Sequence, residues 1–441
     1  MLGALNYGVR SAGLPAGWTP LLFLWLGMAS ATGRADDWRE WLGPSHNSHS
    51  PEKGWRKDWP ESGPPRLFEK EVGEGYSTVA VAQGSAVLFH RVGDEMVVEA
   101  LDALRGEQKW RYAYPTDYQD NYGYNGGPRA QPIVERVSDT WRAYTLCSKG
   151  VLTALELETG KKVWSHDLPG EFKIPENFFG VGAAPLADGG KIYVHAGGTD
   201  LGTGLAFAID AARGEVLWKS PTDGGSYAAP RLAEIDSARQ LFVFHRGGLT
   251  CFDPDNGKER WKYPWRSRTY ESVNAATPVV VGDICLISAT YGTGAVCFKV
   301  KKDAFEVIWK DDLESRRKSL ETHWSTAIPL DGRVYGFSGR HESGCDLRCV
   351  ELATGKVLWT RESYLGRGSM LYADGHFIVL GERGDLCLFQ LGPEGPKELR
   401  RVRGVLAYPS WAPPVLANGV LYLRGEHKLI AFDLRSPAPA H

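Results

Sequence analysis

One eleven-residue pattern recurs along the chain, and this repetition most limits what the chain can fold into. Each copy runs from a small residue, an apolar residue and an acid, through a turn that usually holds glycine, to a large aromatic, as in CVELATGKVLW at 349–359. The spacing between copies is 43 to 54 residues, a period typical of stacked supersecondary units. The copies that end in tryptophan do so at Trp110, Trp164, Trp218, Trp261, Trp309 and Trp359.

Each period predicts four short antiparallel strands. The acid can accept hydrogen bonds from the following turn, and glycine adopts positive φ there without steric cost. Upstream of the pattern lie two apolar runs joined by a hairpin-turn dipeptide, as in ATPVVVGDICLISA at 276–289. Four-stranded units at this spacing are typical of a β-propeller. We therefore interpret the recurrent tryptophans as packing residues between blades, each burying roughly 150–250 Å².

The two ends of the chain predict how the ring closes. The last copy, AFDL at 431–434, stops before its turn, so the final unit has only three strands. Residues 65–77 supply an orphan strand with Phe68 near the tryptophan position. We predict an all-β, eight-bladed β-propeller whose N-terminal strand completes the last blade. The predicted organisation is an extended leader at 36–64, the propeller at 65–435 and a C-terminal tail at 436–441.

The first 35 residues have the pattern of an export signal. Arg10 precedes the apolar stretch LLFLWLGMASA, and small residues offer cleavage after Ala31 or Ala35. The apolar stretch is short for a membrane span, although a retained anchor stays open as an alternative. We expect a signal peptide at 1–35, export to the periplasm or the medium, and no transmembrane segment after cleavage.

Composition excludes several function classes. The 51 basic and 53 acidic residues nearly balance, which does not favour nucleic acid as a partner. The histidines show no metal-ligand spacing, and RHE at 340–342 alone is a weak signal, so no metal site is predicted. The seven cysteines are an odd number for a disulfide framework, and a Cys345–Cys349 bond stays open. Four cysteines take the alanine position of the repeat and are predicted to be small buried residues: Cys251, Cys297, Cys349 and Cys387.

The pattern A-x-D-x-x-T-G-x-x-x-W resembles the tryptophan-docking repeat of pyrroloquinoline quinone (PQQ) type propellers. That superfamily includes the quinoprotein alcohol dehydrogenases and the outer-membrane assembly factor BamB. The resemblance covers the chain from about residue 65 onward. The leader, beginning DDWREWLGPSHNSHS, resembles exported PQQ-like proteins common in planctomycete-type bacteria. A WD40 propeller fits less well, because the Gly-His and Trp-Asp signatures are missing.

The resemblance leaves two functions open. A quinoprotein dehydrogenase implies adjacent cysteines over the cofactor, a Glu-Asn-Asp set that holds Ca²⁺ beside PQQ, and an Asp base. This chain has no Cys-Cys dipeptide, and that set is not matched residue by residue, so no catalytic residue is assigned. We interpret the chain as a non-catalytic binding or scaffold propeller, without a firmly assigned cofactor, for a protein or cell-envelope component. The alternative is a PQQ- and Ca²⁺-dependent oxidoreductase resembling the alcohol dehydrogenases.

The candidate site is the mouth where inter-blade loops gather. These loops are long and aromatic, and 112–129 carries Tyr112, Tyr114, Tyr118, Tyr122 and Tyr124. Such loops on a rigid frame suit recognition, and packing of the rings on one another over the top of the ring stays open as the alternative. Arginines near the funnel suit an anionic group, and aromatic rings suit stacking on a planar or sugar ring. The residues predicted to face the funnel precede the inner strands: Arg129, Tyr227, Asn274, His323, Trp324, Arg367 and Trp411.

Overall fold

The computed structural model describes residues 37–436, and short strands dominate them. The signal peptide predicted at 1–35 lies outside these residues, as does all of the predicted tail beyond Ser436. One short helix, α1, spans Leu168–Phe172, and the Asp167 carboxylate caps it by accepting a hydrogen bond from Gly170 N. The strands therefore define the architecture.

The strands form eight sheets. The leader contains β1 (His49–Ser50), and the chain then enters the ring at β2 (Arg66–Glu71). The strands of the first four blades, in chain order, are β3 (Ala80–Ala82), β4 (Ser85–Val92), β5 (Glu95–Asp102), β6 (Gln108–Pro115), β7 (Ile133–Val137), β8 (Thr140–Leu146), β9 (Val151–Glu156), β10 (Lys162–Asp167), β11 (Leu186–Asp188), β12 (Lys191–Gly197), β13 (Gly204–Asp210), β14 (Val216–Thr222), β15 (Arg231–Ile235), β16 (Ala238–His245), β17 (Gly248–Phe252) and β18 (Glu259–Pro264). Those of the last four are β19 (Val279–Val281), β20 (Ile284–Ala289), β21 (Gly294–Val300), β22 (Phe305–Lys310), β23 (Ile328–Leu330), β24 (Arg333–Ser338), β25 (Asp346–Glu351), β26 (Val357–Glu362), β27 (Ser369–Ala373), β28 (His376–Leu380), β29 (Leu386–Gly392), β30 (Gly395–Val402), β31 (Val415–Ala417), β32 (Val420–Arg424) and β33 (Lys428–Asp433).

The topology confirms the predicted eight-bladed propeller and its closure. Seven blades are consecutive antiparallel meanders, and the eighth has the order β2-β33-β32-β31, so the N-terminal strand completes the last blade. Phe68 of β2 occupies the place that tryptophan takes elsewhere, because a Cβ built on Gly106 of the first blade would lie 2.6 Å from the Phe68 ring. This closure pairs β33 of the last blade with β2 from the start of the ring, so β33 is not left as an open sheet edge.

The recurrent tryptophans dock onto the turn of the next blade. Trp110 Nε1 donates to Leu157 O at 2.7 Å, one residue after the acid of the next repeat. Gly160 in the same turn has φ +72°, and a Cβ there would lie 2.6 Å from Trp110 Cδ2. The glycine is therefore required twice, for its positive φ and for the close approach of the indole. Trp164, Trp218, Trp309 and Trp359 make the equivalent donor bond to the next blade.

The one copy that lacks its glycine docks differently. Blade five turns through residues 300–305 without glycine, so Trp261 of blade four faces no glycine. Its ring packs instead against Phe305, with 4.7 Å between ring centroids. Trp261 Nε1 is buried and has no hydrogen-bond partner among the described residues. The sequence irregularity at this copy thus replaces a polar docking contact with an apolar one.

The cysteines are buried in the blade cores. None of the seven forms a disulfide, including Cys345 and Cys349, the pair left open by the sequence. Cys251, Cys297 and Cys387 are each fully buried among apolar side chains of the repeat. Burial raises the pKa of the Cys387 thiol to about 12. These thiols act as small apolar side chains in the packed sheets.

The leader reaches the inner rim of all eight blades, a feature that the sequence did not predict. Each contact is with an innermost strand or with a residue at most two positions from one. In blade order, the leader residues pair as Trp38 with Val81, Arg39 with Val134, Glu40 with Ala187, Ser45 with Arg231, Trp41 with Thr277, His49 with Pro329, Ser48 with Tyr372 and Glu52 with Gly419.

Strand edges explain why the channel holds a peptide segment. The innermost strand of each blade has one edge that no blade strand pairs with. Such unpaired backbone groups need partners when they are away from water. The leader supplies several of them, and β1 pairs in parallel with β27 as a fifth strand of its sheet. Residues 37–52 are hereafter called the plug.

The plug turns tightly inside the channel. Gly43 has φ +78°, and the non-glycine residues Leu42, His46 and Ser48 have φ of 62°, 51° and 60°. Each such residue costs of order 1–3 kcal/mol and persists only where its surroundings hold it. Leu42 and Ser48 are both buried, and Ser48 N donates to Leu42 O at 2.8 Å. The channel walls therefore fix a conformation that a free peptide would disfavour.

The plug also carries a buried carboxyl. Glu40 accepts a hydrogen bond from Ala187 N at 3.3 Å, and its Oε2 lies 3.8 Å from His46 Nε2. Burial raises the pKa of Glu40 to about 7, assisted by Glu135. Burial likewise lowers the pKa of His46 to about 4, with Arg231 adding to the shift. Both side chains are therefore least costly to the fold when uncharged.

The glycine contact can be separated from the positive φ by two matched substitutions. Gly160→Ala adds both backbone strain and a clash with Trp110, so we expect a loss of about 2–4 kcal/mol in the free energy of unfolding. Gly332→Ala is the control, because Gly332 has φ +73° and nothing within 4 Å of its added Cβ. It should lose only about 1 kcal/mol. Equal losses measured by urea unfolding would mean that indole docking adds nothing.

Glu40 predicts a pH dependence of stability. Between its ordinary value of 4.5 and about 7, the folded protein holds a proton that the unfolded chain releases. This contribution to stability is full below pH 4.5 and is lost as the pH rises through 7. Glu40→Gln should therefore gain stability relative to the wild type on going from pH 5 to pH 8, measured by urea unfolding at both values. Glu158→Gln, which alters an exposed glutamate, is the control and should show no such change.

Candidate functional site

A cavity of about 470 Å³ opens at the loop mouth of the ring. Its floor includes Trp41 of the plug, and its walls come from the inter-blade loops and from loops between the second and third strands of blades. Its volume falls in the range of small-ligand and side-chain pockets. Ten of its side chains are aromatic: Trp41, Tyr76, Tyr122, Tyr124, Phe178, Phe179, Tyr227, Tyr291, Trp324 and Trp411.

The structure brings most of the predicted funnel residues together. Six of the seven line this cavity: Arg129, Tyr227, His323, Trp324, Arg367 and Trp411. Asn274 is the exception, because its buried side chain donates to His245 O at 2.8 Å and to Trp265 O at 3.2 Å. It holds the inter-blade loop in place. The position before an inner strand is therefore a good but incomplete guide to the funnel.

The tyrosine-rich segment 112–129 is only partly a loop. Tyr112 and Tyr114 lie in β6 and pack against the first-blade core, and Tyr118 is buried. Tyr122 and Tyr124 remain at the mouth, 49% and 44% exposed. Asp120 shapes this segment by accepting hydrogen bonds from the backbone N of both tyrosines, at 2.8 and 3.1 Å. Two of the five tyrosines are thus presented to solvent.

Two carboxylates behind the cavity wall are committed to arginines. Asp120 is fully buried and accepts from Arg129 Nη2 at 2.6 Å. Glu382 is also fully buried and accepts from Arg367 Nε at 2.6 Å and from Arg367 Nη2 at 3.2 Å. Paired and out of contact with solvent, these acids balance the arginines and are not presented to a ligand.

An arginine and two indoles that all contact one another form one wall. The Arg367 guanidinium lies 4.4 Å from the centroid of the Trp324 ring and 5.6 Å from that of Trp411. The two indole rings are 5.2 Å apart. Neither indole N–H has a hydrogen-bond partner among the described residues. This wall combines cation–π stacking with unused donor capacity.

The rim carries a cation without a carboxylate partner. Arg340 is exposed and lies 4.3 Å over the Tyr291 ring, and among residues 37–436 it forms no ion pair. His323 adds no charge, because burial, together with Arg367 and Arg340, lowers its pKa to about 3. Burial raises the pKa of Tyr291. The cavity is therefore mainly aromatic, with the Arg340 guanidinium at its rim and Glu271 as its acidic side chain.

The cavity lining also includes residues that were not among the seven predicted, such as Tyr76, Tyr291, Arg340 and Trp41. Tyr76 occupies the same kind of position in the first blade and follows the same rule. Tyr291 and Arg340 come from loops between the second and third strands, which open at the same mouth because the strands alternate in direction. Arg340 stands in the RHE segment, set aside as a weak metal signal. Trp41 lies in the leader, where no local pattern marks it.

The residues offer little to a metal ion. Across the part of the chain that the structure describes, no three His, Cys, Asp or Glu side chains are placed to share one. Among the cavity residues the acidic side chain is Glu271. His195 and His245 are buried with hydroxyl partners, and burial lowers their pKa values to about 3 and about 4.

Comparison with known proteins gives two groups of relatives, BamB proteins and quinoprotein alcohol dehydrogenases, and in addition a tetrathionate hydrolase. A family model described as "Outer membrane protein assembly factor BamB" matches residues 59–169 and 94–341. BamB of Yersinia pestis is 22% identical over 62% of this chain and 66% of its own length. Tetrathionate hydrolase of Acidithiobacillus ferrooxidans is 22% identical over 88% and 80%. Quinohemoprotein alcohol dehydrogenase ADH-IIG of Pseudomonas putida is 28% identical over 42% and 26%.

The matched region therefore spans just under two thirds of the Yersinia protein and about a quarter of the dehydrogenase. Among solved structures, BamB from Moraxella catarrhalis superposes with a TM-score of 0.60 at 16% identity, covering 85% of this chain and 98% of that one. Quinohemoprotein alcohol dehydrogenase from Comamonas testosteroni gives 0.64 at 14%, covering 92% and 81%. These likenesses show the fold, which does not select among the functions.

The Arg367 wall yields a stability prediction. Glu382→Gln keeps the shape of the side chain but leaves the half-buried guanidinium without its counter-charge, so we expect a loss of at least about 2 kcal/mol in unfolding free energy. Glu342→Gln is the control, because its partner Arg383 is 67% exposed, and it should lose less than about 1 kcal/mol. Equally small losses in urea unfolding would show that Arg367 needs no internal partner.

Proposed function

Because this chain belongs to the family described as outer membrane protein assembly factor BamB, we propose that it is a binding propeller for a cell-envelope protein. The recognition surface is the loop mouth, with the aromatic cavity at its centre. The ring acts as a rigid frame, so binding requires little ordering of the frame itself. On this proposal the chain catalyses no reaction and acts by forming a complex with its partner.

The observation that carries the proposal is the chemistry of the cavity wall. The two deep carboxylates, Asp120 and Glu382, are each held by an arginine and fully buried. A general base or a metal ligand would need a carboxylate that faces the ligand. The cavity is lined mainly by aromatic side chains, with Arg340 and a single acid, Glu271, and aromatic residues and arginine are the types enriched at protein interfaces.

The exposed aromatic residues support the same mouth. Between residues 37 and 436, all five tyrosines that are more than 40% exposed belong to inter-blade loops. They are Tyr122, Tyr124, Tyr270, Tyr364 and Tyr408. Tyrosine supplies large contact area with few rotatable bonds, so it orders at low entropic cost. A partner would thus meet a ring of tyrosines around an apolar pocket.

The proposed location in the cell envelope rests on the sequence of residues 1–35 and on the family. Residues 1–35 act as a signal peptide, and the remaining chain works in the periplasm or outside the cell. Among the described residues, the single helix is five residues long, and no helix is long and apolar enough to span a membrane. The ring meets its partner at the membrane surface or in the periplasmic space.

A second candidate, a PQQ-dependent dehydrogenase, is favoured by one wall of the cavity. Arg367, which contacts Trp324 and Trp411, suits a planar anionic ring. The calcium that would accompany it fits poorly, because calcium takes six to eight oxygen ligands and Glu271 is the acidic side chain among the cavity residues. The residues therefore match half of that site, and we derive no redox step from them.

Site-specific photo-crosslinking tests the proposal. A benzophenone amino acid replaces Tyr122 at the mouth, and in the control it replaces Leu217, which is 44% exposed on the outer strand β14. With a native cell-envelope extract, we expect one dominant protein adduct from position 122 and none above background from position 217. Tyr124→Ala should weaken the recovered complex about tenfold, as for an interface hot spot.

Equal labelling from both positions would contradict recognition at the mouth. The second candidate is tested separately by titrating the mature protein with PQQ and Ca²⁺ and following tryptophan fluorescence and dye reduction with alcohols. Saturable binding with alcohol-dependent dye reduction would replace the binding proposal with the oxidoreductase.

A further inference from the structure

The plug divides the ring channel from the cavity. Asp37 lies at the mouth opposite the loops, because its carboxylate accepts from Gln83 N and from Asn418 Nδ2 in turns at the far ends of inner strands. Four residues later Trp41 has reached the loop side, where Nε1 donates to Thr277 Oγ1 at 2.9 Å ahead of β19. The segment therefore rises from the far mouth, turns beneath the cavity and returns, because Glu52 Oε2 accepts from Gly419 N in the same far turn as Asn418.

We propose that the plug makes the ring a one-mouthed cup, with Trp41 as the floor that sets the depth of the binding site. This deepens the proposed function and rests on it. A through-channel would admit an extended polymer, whereas a cup admits a protruding group or a chain end. The group that fits is aromatic or aliphatic, because the cavity is walled by rings, and it carries one acidic function for the unpaired Arg340.

Trp41 is suited to this role by its fixation. Its indole is half-buried and packs against the inner core of the second and third blades, and its N–H is used by Thr277. The turn that follows is held by Leu42, which is 4% exposed, and by the Ser48 N to Leu42 O bond. A floor held by the channel on several sides can act as a stop for a ligand. Trp41 is thus a positioning residue for specificity.

The first experiment measures the floor with a dye. The probe is 8-anilinonaphthalene-1-sulfonate, a single aromatic group with one anionic function, titrated against the full mature chain. Trp41→Ala should weaken its binding about tenfold or more, because the cavity-facing part of the indole no longer contacts it. Trp38→Ala is the matched control, a buried indole of the same plug that does not line the cavity. It should change binding less than about twofold.

Stability is checked by thermal unfolding of each variant. If Trp41→Ala does not fold, Trp41→Phe keeps a ring but loses the donor to Thr277 and should weaken binding about threefold. The inference is overturned if the wild-type chain does not bind the dye one to one, if the position 41 variants bind as the wild type does, or if Trp38→Ala matches their loss.

The second experiment tests the single mouth. All seven native cysteines are buried, so a maleimide will label an introduced surface cysteine in preference to them. A bulky maleimide on Tyr122→Cys at the cavity rim should block dye binding. The same label on Val281→Cys, 41% exposed at the opposite end of inner strand β19, should leave it unchanged. Blocking from both positions would show that the channel is open.

The outcomes separate this inference from the proposed function. Neither dye experiment uses a partner protein, and the crosslinking experiment does not use the cavity floor. An open channel with a specific adduct from position 122 would overturn the cup and leave the binding function in place. A closed cup without a specific adduct from position 122 would overturn the binding function and leave the cup in place.

Discussion

The contact between an indole and the turn glycine of the next blade holds the ring together. Trp110 against Gly160 shows its parts: a donor bond to a fixed carbonyl, a positive φ and an approach too close for a side chain. Because each contact joins neighbouring blades, every blade depends on the next one around the circle. Phe68 makes the corresponding contact with Gly106 where the two ends of the chain meet. The ring therefore has no terminal blade that would need a cap.

Closing the ring creates a second problem, which the plug addresses. The innermost strands turn their unpaired edges toward a central channel, and a channel wide enough for water would hydrate them. The chain instead places its own leader there, and contacts reach all eight blades through residues such as Arg39 and Ser48. The left-handed conformations of Leu42 and His46 indicate that the channel imposes the shape of the plug. Residues usually treated as a leader are thus part of the fold.

The repeat made the fold predictable because its period, turn chemistry and large aromatic residues are all local signals. Six funnel residues followed from position alone, since residues before the inner strands share one geometry. Asn274 escaped the rule because an amide can satisfy loop backbone as readily as it can face a cavity. The position of Trp41 could not be predicted, for a different reason. Its place depends on contacts with blades hundreds of residues away, and a single sequence carries no local trace of them.

The same geometry links the family fold to the choice between binding and catalysis. Both groups of relatives share the ring, so the difference must lie in which side chains face the funnel. In this chain Arg129 and Arg367 line the funnel, and each forms an ion pair with a buried carboxylate. Asp120 pairs with Arg129 and Glu382 pairs with Arg367, so these two acids are not available to a ligand. A wall built this way is rigid and electrically balanced, with Arg340 left free at the rim. Such a wall presents aromatic surface and Arg340 to a ligand, while the acidic side chain among the cavity residues is Glu271.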